Sequence, residues 1–462
     1  MIDLILILAV AGSIWGGILL VRGSLHAGCL AYLLSAACFG FYFASFHVGP
    51  LPLTIDRVVM VVLALAFVLQ WRLGRVPLKP IDTGDMLAFS LLGLFMVSFA
   101  MSIGESSSKQ LLVSAYRLLG GYAMPIAVYW IGRQAPLSEA TSRRIQIALG
   151  AFGIYLAVMA VLEVTAQWGL VFPKHIADPK LGIHFGRARG PMLQSVSMGL
   201  TLGICLLSAV VVGIRSSRPG QLLLMLLLPV YALGIYLTYT RSVWIGVGLG
   251  LMTVLGLLLP VAWRKWVLAG AATAGLVVGA SKFEQILAFE REFSAAGTKE
   301  SAEARVSFVY VSWMMFLDHP LLGSGFGTFE EGKLPYLDDR ETDLKLQTIR
   351  TWSHHNTLLS ILTETGIVGL SLFLTMLGWF ARQGWRLYRD PRSPSWARAQ
   401  GALLLGALPI YCVQAVFHEL SYTPIDNSLL FYIAGMTCGL VAPAAATALQ
   451  RQPVAIKAHP AY

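Results

Sequence analysis

Apolar runs of helix length, parted by short polar breaks, recur along most of this chain. About 20 apolar residues suffice to cross a bilayer as a helix. The pattern predicts thirteen spans, at 2–21, 28–47, 51–71, 85–103, 111–131, 146–169, 192–213, 221–239, 242–260, 263–280, 357–381, 398–418 and 427–447. The runs lack the short alternating period of an outer-membrane barrel. The expected fold is an all-α polytopic membrane protein with about 12–13 transmembrane helices.

One long polar segment interrupts the series. It divides the chain into N-terminal transmembrane helices at 1–280, a large outer loop at 281–355, C-terminal transmembrane helices at 356–450 and a tail at 451–462. Inside the loop, 301–317 carries Val306, Phe308, Val309, Val311, Trp313 and Phe316 and reads as a helix packed on the membrane or on the bundle. Pro320, Gly323, Gly325 and Gly327 then end it in a turn-rich stretch.

Charge sets the orientation. Short basic clusters (Arg72, Arg75 and Lys79; Arg133, Arg143 and Arg144; Arg215 and Arg218; Arg264 and Lys265; five arginines from Arg382 to Arg398) alternate from span to span, so all face the cytoplasm. The tail, with Arg451 and Lys457, joins them. The loops at 170–190 and 281–355 then face outward, which in a Gram-negative cell is the periplasm.

Composition agrees. Of 462 residues, 56% are hydrophobic and only 13% charged, against roughly a quarter charged in soluble domains. The net charge of +10 does not indicate nucleic acid, because the large loop holds 8 Lys/Arg and 12 Asp/Glu, a balance of −4 (8 − 12). The first apolar run lacks a basic start and reads as a span, not a cleaved signal. Cys29, Cys38, Cys205, Cys412 and Cys438 all fall in apolar runs without a CxxC pair, which argues against a disulfide framework or a zinc site.

Candidate chemistry collects on the outer side. Arg187 and Arg189 precede one span, Arg241 sits in a very short break between two spans, and Arg305 begins the loop helix. Outward arginines are a minority class. Singly they cap helices or bind headgroups; together they fit a lipid diphosphate, whose oxygens guanidinium forks bind in pairs. Thr351-Trp-Ser-His-His-Asn-Thr357 closes the loop and opens a span. Its histidines, His354 and His355, read as caps or as bases titrating near neutrality, and Asn356 as the helix N-cap. Glu364 and Arg117 lie inside spans, where ionisable groups are functional candidates or structural partners, of one another among others. Four carboxylates between Asp338 and Asp343 read as a solvated loop more readily than as a cation site. No GxSxG, HExxH or Walker loop is present.

Taken in order, Thr238-Tyr-Thr-Arg241, Arg305 with its apolar helix, Asp318-His-Pro-Leu-Leu-Gly-Ser-Gly-Phe-Gly327, and His355-Asn356 followed by a Leu-Thr-Glu-Thr-Gly-Ile-Val-Gly-Leu span resemble the O-antigen ligase and O-antigen polymerase superfamily of bacterial inner membranes. The resemblance runs from about Arg187 to Leu370. It implies a glycosyltransferase whose donor is a glycan on undecaprenyl diphosphate, used at the periplasmic face. A ligase has lipid A–core oligosaccharide as acceptor, a polymerase another lipid-linked repeat, and a related branch a protein hydroxyl. It further implies His355 as general base, with His354 as the alternative register, diphosphate-binding roles for Arg187, Arg189, Arg241 and Arg305, and supporting roles for Asn356 and Glu364. No cofactor, metal or nucleic acid is expected; membrane lipids are. Ligase stands first, polymerase second, protein glycosyltransferase third. A polysaccharide transporter is the competing class, though the ionisable groups lie at the surface instead of the midplane and no halves repeat.

Overall fold

The structure, a computed structural model, describes residues 17, 20–48, 51–104, 106–266, 269–270, 273 and 295–441. Most of the expected spans 2–21 and 263–280, the loop start at 281–294 and the tail at 451–462 lie outside the described residues.

Among the described residues, eight helices are long and apolar enough to cross a membrane. The elements in order are α1 (Leu25–Cys38), a hairpin of β1 (Ser45–Val48) and β2 (Leu51–Thr54), α2 (Ile55–Arg72), α3 (Thr83–Met101), α4 (Ser108–Leu118), α5 (Met124–Gln134), α6 (Glu139–Val164), α7 (Ser195–Ile214), α8 (Arg218–Tyr236), α9 (Arg241–Leu258), α10 (Ala295–Asp318), α11 (Phe329–Gly332), α12 (Thr357–Arg389), α13 (Ser395–Phe417) and α14 (Pro424–Val441). A π-helical turn, Leu119–Ala123, joins α4 to α5 as one span. Among the described residues the expected spans are helical, except at 28–47 and at the start of 51–71, which is strand β2. The span expected at 28–47 ends at Cys38, and the chain turns at Gly40 into the antiparallel hairpin, pairing Ser45 with Thr54 and Val48 with Leu51. Apolar length alone does not separate helix from strand. Here Gly40 stops the helix, and Pro50 and Pro52 disfavour a new one.

Helix α14 lies against α5, α9 against α13, and α12 against α13 and α3, enclosing a continuous apolar core. At one end of this bundle the described part of the outer loop builds a smaller core. Ala304, Phe308, Val311 and Met315 of α10 bury against Phe329, Leu337, Leu346 and Ile349.

Helix α12 joins the two cores, and it is broken at Gly366 (φ 65°, ψ −166°). The loop after α10 fills the break: Ile367 N–H donates to Pro320 O at 2.9 Å, and Ser324 and Gly325 N–H donate to Thr363 and Glu364 carbonyls at 2.9 and 3.1 Å. Only glycine fits here. The backbone region excludes side chains, and a Cβ at 366 would stand 2.2 Å from Leu321 O.

Candidate active site

A cavity of about 610 Å³ opens between the bundle and the outer loop. Its polar wall includes His175, His184, Arg305, His354, His355, His418, Glu419 and Tyr422.

His355 is exposed, and the chain fixes its ring. Asn356 caps α12 by accepting from Leu359 N–H at 2.9 Å, as its position before the span implies. The preceding imidazole stacks on Phe308 at 5.3 Å and Trp352 at 5.4 Å. Its Nδ1 lies 2.8 Å from Ser353 O. A carbonyl only accepts, so Nδ1 carries a proton, and Nε2 is the ring nitrogen left to face a substrate.

His354 is its opposite. It is 3% exposed, packs on Phe329 at 3.7 Å between ring centres, and reaches Thr363 Oγ1 at 3.3 Å. Burial, then the charges of Arg117, His355 and Lys333, hold it well below the usual imidazole range. It is a neutral core residue that edges the cavity.

The wall facing His355 comes from the turn between α13 and α14. Thr357 N–H and Oγ1 donate to His418 O at 3.1 and 2.8 Å, and Leu420 N–H donates to Thr357 Oγ1 at 2.9 Å. This lock ties the start of α12, with its histidines, to His418 and Glu419. His418 Nε2 lies 3.3 Å from Ser242 Oγ, next to Arg241. Burial first, and then Arg305, lower His418 to about 3, so it stays neutral.

The arginines expected to act as one cluster differ in exposure and in whether they line the cavity. Arg305 lines the cavity and covers the Phe417 ring at 5.8 Å. Arg241, exposed at the start of α9, and Arg187, partly exposed, are not among the residues lining it. Arg189 is held internally. It is wholly buried, bonds Glu163 Oε1 through Nε at 3.2 Å, and donates through Nη2 to the Ile176 and Asp178 carbonyls at 2.9 and 2.7 Å. Its Nη1 donates to Leu181 O. The guanidinium ties the 170–190 loop together.

Glu364 is likewise internal. It pairs with Arg117 at 2.7 Å and does not line the cavity. The acidic run is folded onto its own loop: Tyr310 Oη donates to Asp339 at 2.6 Å and Gln347 Nε2 to Asp338 at 2.7 Å. Among the described residues, no group of three or more His, Cys, Asp or Glu is placed to hold a metal ion.

The sequence reading passed over His175, His184, His418, Glu419 and Tyr422. A His-Glu pair directly after a span was the available signal for two of them.

The family model described as O-antigen ligase matches residues 222–374, from α8 through the break in α12. The chain carries an O-antigen ligase domain. The match spans about a third of the chain and agrees with the O-antigen ligase and polymerase superfamily that the sequence motifs resemble. The matched segment contributes Arg305, His354 and His355 to the cavity wall; His175, His184 and the His418–Tyr422 turn lie outside the match. No curated protein matches the chain.

Proposed function

We propose that the protein is an O-antigen ligase of the bacterial inner membrane. It transfers a glycan from undecaprenyl diphosphate to lipid A–core oligosaccharide, with the cavity open to the periplasm. The observation that carries the reading is His355: an accessible imidazole with Nδ1 pinned to Ser353 O and Nε2 left as the base.

In the proposed reaction an acceptor hydroxyl attacks the anomeric carbon, and His355 Nε2 takes its proton. The bond from that carbon to the diphosphate oxygen breaks, and undecaprenyl diphosphate leaves with the electron pair. Arg305 lies on the cavity wall to meet the charge that develops on the leaving oxygen. Arg187 and Arg241 are assigned to the approach of the lipid diphosphate, and Arg189 to the loop that carries Arg187. A single displacement inverts the anomeric centre. Basic short loops on the opposite end of the spans support the periplasmic orientation.

Lipopolysaccharide from a deletion strain tests the reading. A ligase deletion leaves bare lipid A–core, with polymer held on undecaprenyl diphosphate. Core capped by a single repeat would instead assign polymerase activity, and an unchanged ladder would overturn both.

A further inference from the structure

Glu419 has no task in the transfer as proposed, yet it is the one carboxylate among the described residues lining the cavity. It is 5% exposed and lines the cavity. Oε1 accepts from Ser421 N–H at 3.1 Å and from Ser421 Oγ at 2.5 Å. Oε2 is buried just beneath the cavity wall and has no hydrogen-bond partner.

The residues behind it make the arrangement rigid. Arg117 Nε donates to Ser421 Oγ at 2.6 Å, while Glu364 and Ser360 hold the same guanidinium at 2.7 and 2.6 Å. The turn itself presses on the π-helical break between α4 and α5, where a Cβ on Gly121 would stand 2.4 Å from Ser421 O. These contacts hold Oε1, so a small rotation of the carboxylate is enough to turn Oε2 to the cavity.

A buried carboxylate oxygen without a donor is costly, so a donor supplied by an occupant of the cavity would bind there with strong selectivity. A phosphate offers no donor and would be repelled. A sugar offers hydroxyls. Tyr422, adjacent and 40% exposed on the same wall, adds an aromatic surface of the kind that covers the apolar face of a ring. The Thr357 lock fixes this wall relative to His355, and the ring whose hydroxyl gives up its proton at His355 is the acceptor.

We infer that Glu419 and Tyr422 form a subsite for the acceptor sugar, with Glu419 Oε2 accepting a hydroxyl other than the attacking one. The inference rests on the transfer reaction proposed above. The subsite sorts substrates by charge: hydroxyl-bearing acceptor at Glu419, diphosphate at Arg305.

The test uses full-length protein purified in detergent, undecaprenyl-diphosphate-linked glycan as donor and lipid A–core from the deletion strain as acceptor. Initial rates are measured against each substrate for wild type and Glu419→Gln. The expected result is an acceptor KM raised at least about tenfold, with the donor KM within about twofold, because a site built to bind a hydroxyl loses selectively toward the molecule that bears it. If Glu419→Gln is not monodisperse, Glu419→Asp, which keeps the charge and withdraws the oxygen, carries the same test. Wild-type transfer with an unchanged acceptor KM in the variant overturns the inference alone. So does an equal rise in both KM values with a lower thermal midpoint, which marks a structural role. Wild-type protein without transfer overturns the ligase reading and the inference with it.

Discussion

Arg117 of α4 and Glu364 of α12 meet at 2.7 Å, and both side chains are almost wholly buried. The contact joins two helices far apart in sequence directly behind the cavity. Removing one partner leaves a buried charge unpaired, so Glu364→Gln or Arg117→Met should lower stability by about 3–5 kcal/mol, and the double variant Arg117→Met/Glu364→Met should regain much of it. Unfolding in detergent across the four proteins checks this; single variants as stable as wild type would contradict it.

Gly366 sits where no other residue fits. Gly366→Ala should reduce folded yield sharply, because its Cβ meets Leu321 O at 2.2 Å. Gly378, in the same helix, has open space around it, and Gly378→Ala should be tolerated. Monodisperse yield of the pair is the measurement, and equal yields would remove the role assigned to the break.

Arg189 and Arg305 should fail in different ways. Arg189→Ala removes the core of the 170–190 loop and is expected to lower the thermal midpoint. Arg305→Ala should fold normally and lose about 10²- to 10³-fold in transfer, the size typical for one donor to a developing oxyanion. Thermal midpoints and transfer rates measured side by side separate the two roles.

Acid should weaken the outer part of the protein. Burial lowers His418 from the usual 6.5 to about 3 and lowers His354 and His175 as well. Between those values the unfolded chain binds protons that the folded chain refuses. Stability is therefore complete above about pH 6.5 and falls as pH drops toward 3. The thermal midpoint should fall between about pH 7.5 and pH 5, and His418→Gln should shrink that fall. A midpoint that rises on acidification would reverse the sign and refute the assignment.

The membrane architecture was legible because a bilayer demands long apolar helices, and composition records that demand. The hairpin at Ser45–Thr54 was not, since apolar strands and helix ends look alike by hydropathy. The N-cap at Asn356 was readable, because helix capping is local. The fate of the arginines was not. Arg187 and Arg189 stand two residues apart, yet only the second meets Glu163, a partner 26 positions away that no spacing rule connects to it. Glu419 was invisible for the same reason: its orphaned oxygen has meaning only once Ser421, Arg117 and the cavity are in place.

Transfer by purified His355→Ala, with undecaprenyl-diphosphate-linked glycan and lipid A–core, tests the proposed mechanism most directly. The expected result is a fall of at least about 10²-fold in kcat, as for loss of a general base, with the thermal midpoint unchanged. His354→Ala should instead lose stability. Full-rate transfer by folded His355→Ala would contradict the mechanism.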